Sequence, residues 1–314
     1  MKYKAYLCSF LLTFPILGKA SAEADSLRQI QISRLQEQVN WVNPEAIRAY
    51  LDDTKSSLGD KAPVLYQKLE ELETLLPQVN RHLSEDTTRQ TIAEAEKLLA
   101  LKREIILANP LLDVDKILIA RYRLGNKARK AMGPSLGTSV ANYNSLFSSR
   151  RKGYDAEISQ LSNLRGDIQS KTIYKPEADV PISDIQLHWD ADRLLFSSLN
   201  ENRQWQIYEI NTDGTGLHQK VVVDEPDLEF CDANYLPDGK VVATCNIGYN
   251  GVPCVHGDDV VANLVSYDPE TKNIHRLTFD QDGNWAPIVI PNGRLMYTRW
   301  EYTDLTHYFS RFVM

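Results

Sequence analysis

A strand-and-turn unit occurs three times in the last third of this sequence. In each copy a tight turn leads into a basic residue and then into an apolar strand. The copies are Asp190–Ser197, Pro237–Thr244 and Pro291–Thr298. Their basic residues, Arg193, Lys240 and Arg294, are 47 and 54 residues apart, close to the roughly 40–50 residues of one four-stranded propeller blade. The spacing therefore predicts a β-propeller.

A second landmark follows the first strand in two of the copies. Trp205–Ile210 leads into an Asp-Gly turn, and Asn263–Asp268 leads into Pro-Glu-Thr-Lys, both of which favour tight turns. The pattern gives one irregular blade before Pro176, two full blades to about Thr278 and the opening of a fourth. Because propellers close as rings of about 4 to 8 blades, we expect an incomplete, truncated propeller over residues 110–314.

Upstream of the propeller, residues 23–109 show a helical pattern. Apolar residues recur every few positions, and Asn43-Pro44 and Asn109-Pro110 are start and stop signals for helices. We expect a small helical bundle, with a dedicated partner-binding module as the alternative. Within the propeller, an aperiodic stretch rich in Gly, Ser and Asn predicts an irregular insertion at about 125–153, whose basic run Ser149–Lys152 is expected to be a solvated loop.

The N-terminus has the pattern of a secretory signal peptide. Lys2 and Lys4 precede an apolar run, and Ala20-Ser21-Ala22 is a small-x-small cleavage site. We expect residues 1–22 to be removed by cleavage after Ala22 and the protein to be periplasmic or secreted. The alternative is a membrane anchor, but a span needs about 20 apolar residues and the apolar run is shorter. No membrane span is therefore expected after signal cleavage.

The net charge disfavours one class of partner. The formal charge of the chain is −7, and loss of residues 1–22 removes three lysines and no acid, which gives −10. Lys and Arg do not cluster with aromatic residues anywhere in the sequence. Since an acidic chain of this kind is not suited to phosphate backbones, nucleic acid is not an expected partner.

Several stretches resemble one protein family. They are Leu101–Leu118, Gly251–Cys254, Leu277–Pro287 and Asn292–Asp304, of which Tyr297–Asp304 is the most specific. Together they resemble the N-terminal portion of hydrazine synthase alpha subunit-like proteins, over roughly Leu98–Met314. The resemblance implies that the propeller is TolB-like. It also implies a haem-dependent periplasmic redox enzyme whose catalytic part would lie beyond Met314.

The cofactor of that family has a sequence requirement. Covalent c-type haem needs a Cys-x-x-Cys-His motif for its thioether bonds and proximal ligand. The four cysteines are Cys8, Cys231, Cys245 and Cys254, and no two of them have this spacing. We therefore expect no cofactor in this chain, and the resemblance implies haem c only in a longer form.

The three cysteines of the mature chain leave three interpretations open. Cys245 and Cys254 flank a short loop and are candidates for a disulfide in an oxidising compartment. A second interpretation is that the cysteines are buried free thiols. The third is a metal site built from Cys231, Cys245, Cys254 and His256, because thiolates and imidazole suit zinc, although the spacing is not that of a typical zinc motif.

The sequence shows no motif for catalysis. It lacks a nucleophile elbow, a His-Glu-x-x-His pair, a phosphate-binding loop and a dinucleotide fingerprint. The histidines at 188, 218, 275 and 307 are scattered over different blade positions, and we interpret each as a packed or exposed side chain. No catalytic residue is therefore assigned.

Four tryptophans near the predicted strands carry the remaining functional signal. They are Trp189, Trp205, Trp285 and Trp300. Aromatic residues in propellers pack between blades, which is the structural interpretation, whereas exposed ones would line a face that binds a sugar or a peptide. The sequence thus predicts an exported propeller that serves as a binding or scaffold module, with a protein partner or small ligand on one face.

Overall fold

The computed structural model describes residues 17–85, 88–124, 146–149, 151–252, 257, 260–300 and 310–313. The chain divides into two compact units, Met1–Asp115 and Lys116–Met314. The first contains helices and the second contains antiparallel sheets. The predicted fold class, a helical region followed by a partial propeller, is confirmed.

The described residues of the helical unit form four helices and short 3-10 turns. The helices are α1 (Leu17–Asn40), α2 (Pro44–Leu58), α3 (Ala62–Glu85) and α4 (Arg89–Leu107). Asn43 starts α2 as predicted, because its Oδ1 accepts the Ala46 N–H at 3.0 Å ahead of the first-turn proline. Leucines and valines at helical spacing, among them Leu51, Leu69 and Leu98, form the core of this unit.

The predicted signal peptide is only partly covered. Residues 1–16 lie outside the described residues, and the predicted cleavage point after Ala22 falls within α1. In the described part of the chain, no helix has both the length and the apolar character needed to cross a membrane.

In the second unit, the residues that the structure describes form four successive sheets, which we call blades 1 to 4. Their strands are, for blade 1, β1 (Lys116–Leu124), β2 (Tyr154–Ser162) and β3 (Gln169–Tyr174); for blade 2, β4 (Ile182–Leu187), β5 (Arg193–Leu199), β6 (Trp205–Asn211) and β7 (His218–Gln219); for blade 3, β8 (Phe230–Tyr235), β9 (Val241–Cys245), β10 (Asn263–Tyr267) and β11 (Ile274–Arg276); and for blade 4, β12 (Asn284–Val289), β13 (Leu295–Trp300) and β14 (Ser310–Val313). Within each blade, sequential strands pair as antiparallel neighbours, which is the connectivity of a propeller blade.

The blades are held together by apolar residues that neighbouring sheets share. Leu195 and Ile207 of blade 2 pack in one cluster with Phe230, Val241 and Val265 of blade 3.

The predicted insertion at 125–153 is largely outside the described residues, which resume at 146. There Leu146 and Phe147 are buried in a cluster with Trp205.

The first strand of blades 2, 3 and 4 carries the same irregularity. The register shifts once along each strand, and one non-glycine residue at each shift has a left-handed backbone. These residues are Asp184 (φ 52°), Asp232 (φ 54°) and Ala286 (φ 52°). Each such bulge bends its strand and redirects the neighbouring side chains. The three blades thus share a detailed backbone pattern as well as a strand order.

Candidate binding face around Trp189

The turn between β4 and β5 departs from the repeat by one residue. Six residues separate the paired positions Leu187 and Leu194, and five separate the corresponding pairs in blades 3 and 4. In blades 3 and 4 the turn is Pro-Asp-Gly or Pro-Asn-Gly, and its glycine has positive φ. In blade 2 the turn is Trp189-Asp190-Ala191-Asp192, in which Ala191 is left-handed at φ 55°. The longer turn places a tryptophan where the others begin with proline.

Trp189 differs from the other tryptophans of the propeller in its exposure. Trp205 and Trp300 are fully buried and Trp285 is partly buried against the same cores, as the interpretation of packing between blades requires. Trp189 is 61% exposed. For Trp189 the packing interpretation is therefore wrong, because the residue lies on a turn that projects it away from the sheet.

Two aromatic rings support Trp189 from beneath. His188 contacts the Trp189 ring edge-on, with centroids 5.4 Å apart, and contacts Tyr235 of blade 3 edge-on at 4.7 Å. Trp189 and Tyr235 themselves are 6.4 Å apart. Offset and edge-on aromatic contacts of this kind are favourable. The exposed indole is thus mounted on side chains from two blades, and we call Leu187, His188, Trp189, Asp190 and Tyr235 the Trp189 face.

A buried carboxylate anchors the residues below this face. Glu209 on β6 is 7% exposed. Its Oε2 accepts the Tyr235 hydroxyl at 3.0 Å, and its oxygens lie 3.0–3.1 Å from Lys220 Nζ. Burial, followed by the Glu209 charge, raises the pKa of Tyr235, so the phenol stays protonated and remains a donor. Hydrogen bonds to a buried charge are strong, which fixes the position of the Tyr235 ring.

Arg193 completes the support beneath the Trp189 face. Its Nη1 contacts both oxygens of Asp192 at 2.9–3.0 Å, its guanidinium lies 5.7 Å from the centre of the Tyr235 ring, and its Nη2 is 2.7 Å from His188 Nε2. The other ring nitrogen of His188, Nδ1, lies 3.2 Å from the backbone N–H of Asp190. Since a guanidinium and a backbone N–H can only donate hydrogen bonds, both ring nitrogens of His188 face donors.

The same geometry decides whether this turn suits a metal. Ligand atoms of His188, Asp190 and Asp192 lie within 4.8 Å of one another. A metal-binding histidine needs one lone pair for the ion and usually donates its other N–H to an acceptor. Here both ring nitrogens of His188 face N–H donors, Nε2 the Arg193 guanidinium and Nδ1 the backbone of Asp190, so neither is directed at an ion. The turn therefore does not fit a metal centre, and its polar groups instead stabilise the position of the Trp189 face.

The cysteine predictions are only partly covered by the structure. Cys231 on β8 and Cys245 on β9 are both buried. Burial raises the pKa of both thiols, that of Cys245 to about 12, so neither is a ready thiolate in this form. Cys254 and His256 lie outside the described residues. The disulfide between Cys245 and Cys254 and the metal site that includes Cys231 and His256 thus stay predictions.

Contacts in the structure also bear on the predictions for the histidines and for the basic run Ser149–Lys152. His218 borders the Glu209 network, with Nε2 3.5 Å from Oε1, and His275 is exposed on β11, while position 307 lies outside the described residues. Within the basic run, Arg151 is not a free solvated side chain. Arg151 forms two hydrogen bonds of 2.7 and 3.1 Å with Glu229 and another with the carbonyl of Phe147. The solvated-loop prediction for this residue is wrong because Glu229 provides a partly buried partner.

The sequence pointed to Trp189 but not to its exposure or to its supporting residues. A signal for the exposure was present in the spacing: nine positions separate Asp184 from Arg193, whereas eight separate Asp232 from Lys240. The extra residue lies in the turn that contains Trp189. No comparable sequence signal pointed to Glu209, because its partners Tyr235 and Lys220 come from separate segments of blades 3 and 2.

Comparisons with known proteins give fold neighbours only. The sequence matches no family model and no curated protein. Among solved structures, the chain is similar to TolB from Acinetobacter baumannii (18% identity over 46% of this chain and 32% of that one, TM-score 0.35) and to putative TolB from Agrobacterium tumefaciens (20% identity, 47% and 50%, TM-score 0.34). A third is an oligogalacturonate lyase from Vibrio parahaemolyticus (12% identity, 60% and 60%, TM-score 0.30).

These neighbours are TolB-like propellers and a related propeller enzyme. The matches span between about a third and three fifths of the neighbours' own chains. At this identity and similarity they carry no conclusion about activity, substrate or partner.

Proposed function

We propose that this chain is an exported β-propeller module that binds a protein partner or a small ligand through the Trp189 face. The observation that carries the proposal is an indole that is 61% exposed, yet supported on His188 and Tyr235 from two blades. An exposed aromatic residue held in one position loses little entropy on binding, and tryptophan is enriched among the residues that dominate binding energy. The apolar Leu187, two residues before Trp189 in the chain, is also exposed.

The test compares two exposed aromatic residues. Phe279, between β11 and β12, is 73% exposed and sits over Arg276 rather than in the Trp189 face. A photo-crosslinking amino acid at position 189 or 279 of the full chain, expressed in its native host, identifies what each position touches. The dissociation constant of the purified ligand is then measured for the wild type, Trp189→Ala and Phe279→Ala.

We expect Trp189→Ala to weaken binding at least about tenfold and Phe279→Ala to leave it unchanged, because only the former removes the indole. Equal dissociation constants for the wild type and Trp189→Ala would contradict the proposal. The thermal unfolding temperature of Trp189→Ala should stay close to that of the wild type, since an exposed side chain contributes little to stability.

Export is part of the same proposal and has its own test. The charged start, the apolar run and Ala20-Ser21-Ala22 support cleavage after Ala22. N-terminal sequencing of the mature protein should begin at Glu23. A product that retains Met1 in the cytoplasm would exclude export through this segment.

A second candidate function rests on the family resemblance. The segment Tyr297–Asp304 supports an N-terminal portion of a haem-dependent periplasmic redox enzyme like the hydrazine synthase alpha subunit. Without a Cys-x-x-Cys-His motif, this chain has no attachment site for c-type haem. We expect the purified chain to show no Soret absorption. A Cys-x-x-Cys-His motif encoded in frame after Met314 would favour the redox enzyme over the binding module.

A further inference from the structure

The left-handed positions of blades 2 and 3 are both aspartates, and they lie on first strands that pack against each other. Aspartate is among the few non-glycine residues that tolerate this backbone. The corresponding position of blade 4 is Ala286. The bulge itself therefore does not require a carboxyl group, and the two carboxyls of Asp184 and Asp232 invite a separate explanation.

Asp232 connects three blades through hydrogen bonds. Its Oδ2 accepts the Thr244 hydroxyl at 3.0 Å within blade 3 and the Ala286 N–H at 3.2 Å from blade 4. Its own N–H donates to Ser197 Oγ of blade 2 at 3.1 Å. With these two donors on one oxygen, the Asp232 carboxyl is suited to carry negative charge.

One carboxyl oxygen of Asp184 differs from those of Asp232. Its Oδ2 is buried and has no hydrogen-bond partner among the described residues. Its carboxyl group interacts with the neighbouring carboxyl of Asp232 and with the Ser183 and Ser197 hydroxyls. In the described part of the chain, neither aspartate forms an ion pair with Lys, Arg or His. Two adjacent carboxyls thus face each other without a cation between them.

The other titratable groups nearby do not supply that cation. The Cys231 thiol is beside Asp232 and within the field of both aspartates. Glu229 also acts on that thiol, and its charge is paired with Arg151 at 2.7 Å. The faces contributed by β5, β9 and β12 hold Ser197, Thr244 and Ala286, none of which titrates. The acids must therefore balance their charge between themselves.

Two carboxylates cannot hydrogen-bond to each other, whereas a carboxylic acid and a carboxylate can. We propose that Asp184 and Asp232 form an acid pair that shares one proton and so links blade 2 to blade 3. In the simplest arrangement, Asp184 carries the proton and donates it to Asp232, which is already stabilised as the charged partner by Thr244 and the Ala286 N–H. Burial, then the charge of Asp232, raises the pKa of Asp184 well above its ordinary value.

The acid pair should stabilise the folded chain more at low pH than at high pH. Because the pKa of Asp184 is higher in the folded chain than in the unfolded chain, the folded state holds the extra proton. The contribution of the pair to stability is complete below the ordinary aspartate pKa of about 3.9 and is lost progressively as pH rises from there to the raised pKa.

The test measures thermal unfolding of the full chain between about pH 5 and about pH 9. The informative variant is Asp184→Asn, because an amide N–H can replace the shared proton and asparagine also tolerates the left-handed backbone. Asp238→Asn is the matched control, since Asp238 is an exposed carboxylate in the blade 3 turn and pairs with Lys240. Infrared spectroscopy provides a direct second measurement through the carbonyl band of a protonated carboxylic acid.

We expect the unfolding temperature of the wild type to fall with rising pH by at least about 3 °C more than that of Asp184→Asn, the shift expected for one unit of raised pKa. Asp238→Asn should follow the wild type. The wild type at neutral pH should show the protonated-acid band, and Asp184→Asn should not. If Asp184→Asn fails to fold, the wild-type band and its shift in frequency in Asp232→Asn, which removes the carboxylate that accepts the proton, still decide.

Two results would overturn the proposal. One is the absence of a protonated-acid band in the wild type together with parallel pH curves for the wild type and Asp184→Asn. The other is an unfolding temperature that rises with added calcium or manganese chloride in the wild type but not in Asp184→Asn, because a cation rather than a proton would then lie between the two carboxyls.

Discussion

The turns of blades 2 and 3 occupy the same place in the repeat and reverse the chain in different ways. In blade 3, Pro237-Asp238-Gly239 reverses the chain in three residues, and the residue with positive φ is a glycine. In blade 2 the turn has one residue more, and its left-handed residue is Ala191. Blade 3 thus uses a low-strain turn, while blade 2 accepts a strained alanine.

The difference shows where this chain accepts a lower folding stability than its own repeat allows. Left-handed alanine costs roughly 1–2 kcal/mol, and exposing an indole forgoes the burial that stabilises Trp205 and Trp300. Strained residues that persist tend to cluster at functional sites. Under the proposed function, binding rather than stability accounts for the residues in the longer turn of blade 2.

The largest expected effect comes from converting one turn into the other. Replacing Trp189-Asp190-Ala191-Asp192 with Pro-Asp-Gly gives blade 2 the turn of blade 3. We expect binding through the Trp189 face to fall about 30-fold or more, the loss associated with removal of a hot-spot tryptophan, because the indole is gone. Titration of the crosslinked ligand measures the loss.

Stability should move in the opposite direction in this variant. The strain at Ala191 disappears, so the unfolding temperature should stay the same or rise. An unfolded product would mean that the longer turn is needed for the fold and would remove the contrast between the two blades. Unchanged binding by a folded product would place the binding surface elsewhere.

The next effect tests the support beneath the face. Tyr235→Phe removes the hydroxyl that donates to Glu209 at 3.0 Å. Since hydrogen bonds to buried charged groups contribute about 1.5–3 kcal/mol, we expect a loss of that order in the free energy of unfolding, measured by urea denaturation. Tyr208→Phe is the control, because the Tyr208 ring packs on Phe196 and its hydroxyl makes no hydrogen bond within the described residues. Equal losses in the free energy of unfolding of both variants would show that the hydrogen bond from Tyr235 to Glu209 contributes nothing of its own to stability.

The architecture was accessible from sequence because it rests on local signals. Turn residues, alternating strands and the spacing of Arg193, Lys240 and Arg294 are all read within one blade. The Asn43 cap and the leucine spacing fixed the helices in the same way. Each of these features depends on residues that are neighbours in the chain.

The candidate site was less accessible because it rests on contacts between blades. Glu209 reads as an ordinary strand residue, and only the fold brings Tyr235 and Lys220 to it. Asp184 and Asp232 lie in unremarkable segments, and nothing local shows that both are left-handed or that their carboxyls meet. Partners that are distant in sequence are set by strand register and blade packing, which composition and periodicity do not specify.

A smaller effect tests the Pro-Asp-Gly turn of blade 3. Gly239 has φ +87° with nothing near its Cβ position. Gly239→Ala therefore costs only the left-handed backbone of alanine, about 1–2 kcal/mol, less the roughly 0.5–1 kcal/mol gained by restricting the unfolded chain. We expect a net loss below about 1.5 kcal/mol in urea denaturation. Gly293→Ala, at φ +80° and equally open, should lose a similar amount; no loss in either would show that alanine is not strained in these turns.

The smallest effect is the reciprocal change in blade 2. Ala191 already has the conformation that Gly239→Ala would impose, so Ala191→Gly releases backbone strain while increasing the entropy of the unfolded chain. The first term is about 1–2 kcal/mol and the second about 0.5–1 kcal/mol, so we expect a net gain of at most about 1.5 kcal/mol. Ala178→Gly is the matched control, because Ala178 is exposed and does not have positive φ; only the entropy term applies there, and stability should fall. If both alanines lose stability alike, Ala191 is not strained, and the contrast between the two turns reduces to the presence of Trp189.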